Sequence, residues 1–198
     1  MHSYSTSRSR VAIYGAIAVP AVILAWLIVT ITSSLDWPQW LVSAPSVVAT
    51  YGAVYALVDR VLWKHPLFQK TGLSDVVDIS GIYEGKLTST YTDQEGRPVV
   101  REVVFTIIQT WTHISIAMTV EGGSSSSVSD SAIASVTKAG DGTRLAYIYQ
   151  NRVNPGLADP DMGDHAGAAD ITVREHGDLT GRYYNSRPRA GTIEASRV

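Results

Sequence analysis

Two membrane-crossing helices followed by an all-β domain of about eight antiparallel strands, closed into a barrel, is the fold this sequence predicts. Three observations carry it. Residues 11–35 and 37–58 contain no Asp, Glu, Lys or Arg. All but eight of the 34 charged side chains lie after residue 77. From about Asp78 onward, short runs of β-formers alternate with turn residues, and no stretch keeps a helical period of adequate length.

The first apolar run, Val11 to Thr32, has 22 uncharged residues. At ~1.5 Å per residue it reaches ~33 Å, enough for a ~30 Å hydrocarbon core. Inside lipid the backbone must satisfy its own hydrogen bonds, so the run is predicted to be helical despite Pro20. Signal-peptide cores are only ~7–15 residues long, and a second apolar run follows at once, so a retained span is favoured over a cleaved leader. That second run, Trp40 to Val58, is less apolar and contains Pro45 and Gly52; its length and its flanking Trp37, Trp40 and Trp63 favour a second crossing. The short Ser33–Gln39 connection permits only an antiparallel hairpin. Ala12/Ala16 and Gly52/Ala56 supply small residues at i,i+4 for close helix approach.

Arg8 and Arg10 flank the first span, Arg60, Lys64 and Lys70 follow the second, and the connecting loop has no basic residue. The positive-inside rule then places both ends, and with them the β-domain, in the cytoplasm of a protein that crosses its membrane twice. The expected organisation is a cytoplasmic N-terminus over 1–10, a two-helix hairpin over 11–58, a juxtamembrane linker over 59–77 interrupted at Pro66 and Gly72, and the β-domain over 78–198.

Eight strands are expected: Ser80–Tyr91, Val99–Gln109, Trp111–Glu121, Ser125–Thr137, Arg144–Asn151, His165–Glu175, Asp178–Asn185 and Gly191–Ser196. Ile114, Ile116, Met118 and Val120 alternate with smaller or polar residues, the pattern of a half-buried strand. Ser125, Ser127, Ser129 and Ser131 share one strand face and predict a polar face of the barrel. The turns fall at Asp93–Pro98, Gly122-Gly123, Gly140–Gly142 and His176–Asp178. Closing the sheet removes exposed edges, and eight strands enclose room for side chains or one small ligand. The one long connection, Arg152 to Asp164, is where a site at the barrel mouth is expected.

Composition removes several chemistries. Without cysteine there is no disulfide scaffold, thiol catalysis or thiolate metal site, and a net charge of −2 does not fit a protein that coats nucleic-acid polymers. No Gly-x-Ser-x-Gly elbow or P-loop occurs. The stretch from Asp159 to His165 holds four oxygen or nitrogen ligand candidates but lacks calcium-loop spacing, so a solvated acidic turn is favoured and no metal is expected. No catalytic residue is identified. Binding signals are stronger: the last 17 residues carry Arg182, Arg187, Arg189 and Arg197 against Glu194 alone, beside Tyr183 and Tyr184. Guanidinium pairs with phosphate and aromatic faces stack on bases, which suits a planar anionic ligand.

The motifs Gly81-Ile-Tyr83-Glu-Gly85, Gln109-Thr-Trp-Thr112, Ser124–Ser127, Tyr147-Ile-Tyr149-Gln-Asn151, Met162–Gly167 and Leu179-Thr-Gly181-Arg-Tyr-Tyr184-Asn-Ser-Arg187 stand in that order behind the double span. In that order they resemble the two-transmembrane, β-strand-rich effectors of cyclic-oligonucleotide antiphage signalling (CBASS). The resemblance implies a cytoplasmic barrel that binds a cyclic dinucleotide as its activating ligand, with no other cofactor. It also implies a partner cGAS/DncV-like nucleotidyltransferase that makes the messenger, homo-oligomerisation in the lipid bilayer, membrane disruption and death of the infected cell. Tyr83 stands where Trp is commoner in that family, and Asn185 where Thr often follows the tyrosine pair.

Within that reading Arg187 and Arg189 take phosphates, Tyr149 and Tyr183 or Tyr184 contact bases, Asn151 and Asp164 read base edges, and Thr110 and Thr112 bond phosphate or ribose. Trp111 is divided between ligand stacking and a structural girdle. Gly81, Gly85, Gly167 and Gly181 are strand requirements, and His165 is a structural group. A membrane-tethered lipocalin-like carrier of an apolar ligand, with Gly81-Ile-Tyr83 echoing that group's Gly-x-Trp start, and a structural envelope protein are the alternatives.

Overall fold

The structure, a computed structural model, describes residues 1–6, 10–33, 46–70, 76–120, 127–140, 142–154, 156, 163–174, 176–187 and 189–198. The chain divides into a helical unit, Arg8–Asp75, and a β unit made of Met1–Ser7 and Val76–Val198.

The uncharged run forms α1, Val11–Thr32, continuous through Pro20. Near its C-terminal end the Thr30 and Thr32 hydroxyls donate to the carbonyls of Trp26 (2.9 Å) and Ile28 (2.7 Å), so these polar side chains are satisfied within the helix. Ile13–Thr32 is long and apolar enough to cross a membrane, and it alone is so among the described residues. Most of its large apolar side chains are exposed, Val19, Trp26 and Ile31 among them. α2, Ser46–Arg60, has 15 residues and takes in the second apolar run from Ser46 to Val58 before ending on Asp59 and Arg60. The rest of the expected loop after Ser33, with Trp37, and the start of the expected second run, with Trp40 and Pro45, lie outside the described residues. The two helices pack along Ile13, Ile17, Ala21 and Ala25 of α1, a row at i,i+4, with Thr50 and Val58 buried on α2 and the Tyr14 and Tyr55 rings 6.1 Å apart. Ala16, Gly52 and Ala56 are exposed, which corrects the expected close approach; the small residues at the contact are Ala21 and Ala25. A 3-10 turn, Leu62–Lys64, buries Trp63, and α3, Pro66–Lys70, starts on the proline, whose missing N–H costs nothing at a first helical position.

Eight strands follow close to their expected limits: β2 (Gly81–Thr92), β3 (Pro98–Gln109), β4 (His113–Val120), β5 (Ser127–Ala139), β6 (Gly142–Val153), β7 (His165–Arg174), β8 (Asp178–Asn185) and β9 (Ala190–Arg197). Each pairs antiparallel with its sequence neighbour, and β2 pairs with β9 to close the ring. A ninth strand, unannounced by the sequence, is β1, His2–Ser5. β4 and β5 pair at Ala117–Val120 and then separate, and β1 fills the gap, antiparallel to β4 and parallel to β5. A register shift on β5 between Ser131 and Ile133 opens this seam. There the Ser131 hydroxyl accepts from the Ile116 N–H at 3.0 Å and lies 2.8 Å from His2 Nε2, replacing the missing ladder.

The expected parity of β4 holds, with Ile114, Ile116, Met118 and Val120 all buried. Trp111, expected on that strand, instead lies in the β3–β4 turn, fully buried. The turn forms because the Thr110 hydroxyl accepts from the N–H groups of Thr112 (3.3 Å) and His113 (3.0 Å). Tyr83, Phe105, Ile107, Leu145, Ile171, Leu179 and Ile193 fill the half of the barrel nearer this turn.

Candidate functional site

In an up-and-down sheet successive turns alternate between the two ends. The β2–β3, β4–β5, β6–β7 and β8–β9 connections therefore share one end, and the β3–β4, β5–β6 and β7–β8 turns the other. The interior changes character between them. Near the first end many inward positions are polar, Arg101, Ser127, Ser129, Tyr149, Asn151, His165, Tyr183 and Asn185, set beside apolar Leu87, Val99, Val120 and Val153. Every strand Asp or Glu among the described residues takes the outward parity, as with Asp130 paired to Arg152 at 3.0 Å and Asp170 paired to Arg144 at 2.7 Å.

The rim of this end is built around the β7 start. The Gly163 carbonyl accepts from Arg187 Nη2 at 2.9 Å and lies 3.2 Å from His165 Nδ1, a contact that requires the proton on Nδ1. Burial holds the His165 imidazole below its ordinary pKa, and the positive charges of Arg187 and Arg189 add to this against the opposing Gly163 carbonyl and Asp164. Asp164 Oδ1 accepts from the Val153 N–H at 3.0 Å and clasps the two ends of the long connection. The Arg189 guanidinium lies 4.3 Å from the centroid of the Tyr91 ring.

Below the rim Tyr149 donates to the Tyr184 carbonyl at 3.3 Å, and its ring lies 6.0 Å from that of Tyr147. Burial and the neighbouring Tyr183 push the Tyr149 phenol pKa up. Burial also raises that of Tyr183, opposed by a hydrogen bond with Ser89 and the charge of Arg189. Both phenols are therefore neutral donors at neutral pH. Two glycines make their placement possible. A Cβ on Gly167 would stand 2.4 Å from the Tyr149 hydroxyl and from the Tyr184 carbonyl, and one on Gly191 would stand 2.5 Å from the Tyr183 ring. Gly167→Ala is expected to displace Tyr149 and to destabilise the barrel by about 1–3 kcal/mol. A thermal melt of the full chain beside that of wild type measures it, and an unchanged melt would remove the steric role given to this glycine.

Of the residues singled out in the sequence, the structure brings Tyr149, Asn151, Asp164, Tyr183, Arg187 and Arg189 to this end. Tyr184 shares the strand but faces outward and is half exposed. Thr110, Trp111 and Thr112 are not brought here; they form the β3–β4 turn at the opposite end. There the Trp111 and Thr110 carbonyls accept from the Tyr4 hydroxyl at 3.0 and 3.1 Å, and the Thr112 hydroxyl lies 2.8 Å from His113 Nδ1. The Gly122-Gly123 turn, Ser124, Ser125 and most of the Asp159–His165 stretch lie outside the described residues. Sequence reading missed Arg101, although its signal was present: it sits in phase with Val99, Val103, Phe105 and Ile107, one cation in an apolar run of alternate positions.

Residues 74–197 match the family model described as Cap15, cyclic dinucleotide receptor domain. No curated protein matches the chain.

Proposed function

The chain belongs to the Cap15 cyclic dinucleotide receptor family of CBASS effectors, and from this we propose that its barrel captures a cyclic dinucleotide at the arginine-bearing end and that capture drives assembly and disruption of the bacterial inner membrane. The observation that carries the reading is the convergence of Arg187, Arg189, Tyr149, Tyr183 and Asn151 on the end of the barrel where inward polar side chains are most numerous among the described residues. Tyr149 and Tyr183 offer ring faces to bases, Asn151 a base-edge contact, and the arginines charge for phosphate. Asp164 serves the site indirectly by fixing the start of β7. In this assignment Thr110, Trp111 and Thr112 close the far end of the barrel and touch no ligand.

A messenger shifts an equilibrium only through unequal affinity for its two states. The contacts placed to respond are those at the described ends of the β6–β7 connection, Asp164 with the Val153 N–H and Arg187 with the Gly163 carbonyl. The helical unit supplies the membrane part, with α1 spanning, the second run completing a hairpin and both termini cytoplasmic by the positive-inside rule. A second copy of the chain is the assembly partner, and a cGAS/DncV-like nucleotidyltransferase supplies the messenger. With no charged residue in either apolar run, bulk disruption of the bilayer suits the sequence better than a charge-lined pore.

The test is calorimetry of the full-length protein in detergent micelles against cyclic di-AMP, cyclic di-GMP, cyclic di-UMP and their mixed and trinucleotide counterparts. One member is expected to bind, and cells carrying the protein to stop growing only when that member is present. Heat from no member would overturn the receptor reading, and equal toxicity of residues 1–75 alone would overturn ligand-gated assembly.

A further inference from the structure

Three inward side chains near the arginine-bearing end each carry a buried polar atom without a hydrogen-bond partner: Arg101 Nε, Asn151 Nδ2 and Asn185 Oδ1. They stand on β3, β6 and β8, spread around the ring. Following the register from strand to strand, with a tilt of about 40° and a rise of ~3.3 Å per residue, sets all three at one height within about one residue rise. One layer of the barrel thus presents a cationic donor, a neutral donor and a neutral acceptor.

Arg101 is the unusual member. Its Nη1 donates to the adjacent Val100 carbonyl at 3.1 Å, and among the described residues no carboxylate pairs with it. Leu87 stands opposite it in the ladder and Val103 follows it on the same face of its own strand, both buried and apolar. The Arg101 Nη1 contact is open to solvent while its Nε–H is buried without a partner, and a buried unpaired guanidinium N–H lowers stability unless an anion compensates it. The rim arginines are already engaged, Arg187 with the Gly163 carbonyl and Arg189 with the Tyr91 ring.

We propose that Arg101 is the interior phosphate anchor of the receptor. A cyclic dinucleotide then passes the rim and seats one phosphate on Arg101 inside the barrel, with Asn151 and Asn185 reading an acceptor and a donor on the bases at the same height. Arg187 and Arg189 attract the second phosphate during entry and supply less of the final affinity. This rests on the receptor reading and fixes the depth at which the ligand binds.

The experiment titrates the panel member that binds wild type into full-length Arg101→Met, Arg101→Lys, Arg187→Ala and Arg189→Ala in detergent. Arg101→Met is expected to lose roughly 100-fold or more in affinity with an unchanged or higher melting temperature. Lysine should restore part of the loss, and each rim variant should lose about 10-fold or less, mainly in association rate. Affinity of Arg101→Met within threefold of wild type would overturn the anchor while leaving the receptor reading intact; absence of binding by wild type would overturn the reading itself. Should Arg101→Met fold poorly, the Nε–H resonance of Arg101 in 15N-arginine-labelled wild type decides. It is expected to move on ligand addition, and a resonance that stays put at saturation overturns the anchor.

Discussion

Gln109→Leu is expected to destabilise the β unit by about 3 kcal/mol, a large share of the ~5–15 kcal/mol typical of a domain. Gln109 is 4% exposed and uses both ends of its amide. Its Oε1 accepts from the Ile79 N–H at 3.0 Å, and its Nε2 donates to the Tyr4 hydroxyl (3.1 Å) and the Val77 carbonyl (3.3 Å). Tyr4 in turn donates to the Thr110 and Trp111 carbonyls. One side chain therefore binds three pieces of chain: the N-terminal strand, the segment entering β2 and the β3–β4 turn. Leucine keeps the volume and leaves the Ile79 N–H and Val77 carbonyl without their partner in a buried place, at about 1–3 kcal/mol each.

Hydrogen exchange of the full chain should show the Ile79 amide losing protection together with residues 2–5. Tyr4→Phe should weaken the same cluster, and the double variant should show a coupling of about 0.5 kcal/mol or more. Additive effects would mean that Gln109 and Tyr4 act separately and that β1 is not held by this amide.

This cluster marks the boundary of what could be read from sequence. Strands β2 to β9 were legible because a half-buried strand writes its burial into alternate positions, as Ile114, Ile116, Met118 and Val120 do. β1 carries no such record. Its residues are His, Ser, Tyr and Ser, one side chain of the four is buried, and its partners lie more than a hundred residues away. A four-residue strand in a seam is specified by the shape of the seam, here the separation of β4 from β5 at the Ser131 irregularity, and not by its own pattern. A β-domain begun at residue 78 would lack it and leave Gln109 without Tyr4.

The site was half legible for a related reason. Motif order grouped Thr110–Thr112 with Arg187, but order along the chain carries no statement about which end a turn occupies. The up-and-down topology does: the β3–β4 turn and the β8–β9 turn fall on opposite ends of any such barrel. Parity likewise separates Tyr183, in phase with buried Leu179, from outward Tyr184. Trp111 was indeterminate while it was assigned to a strand, because its phase contradicted Ile114. The turn held by the Thr110 hydroxyl removes that contradiction. Arg101 escaped the sequence reading because the local charge excess lies in the C-terminal arginines, whereas its significance lies in its inward parity between Val99 and Val103.

Asn151→Leu is expected to move stability and binding in opposite directions. The side chain is 3% exposed, its Nδ2 has no partner, and it faces inward between Ser129 and His165, its neighbours in register. Leucine has nearly the same volume and removes an Nδ2 group whose desolvation is uncompensated. The ligand-free protein should therefore gain up to about 1 kcal/mol, seen as a higher melting temperature. Messenger affinity should fall roughly 10- to 100-fold, because the donor that pairs only with ligand is gone. Asn151→Asp separates polarity from shape: it keeps the outline, exchanges donor for acceptor and adds charge, so binding should fall without the gain in stability. A structural asparagine behaves otherwise, losing stability first and affinity as a consequence. If Asn151→Leu melts lower than wild type while its folded fraction binds normally, this amide serves the barrel wall and the base-edge reader must be sought elsewhere in the same layer, with Asn185 next.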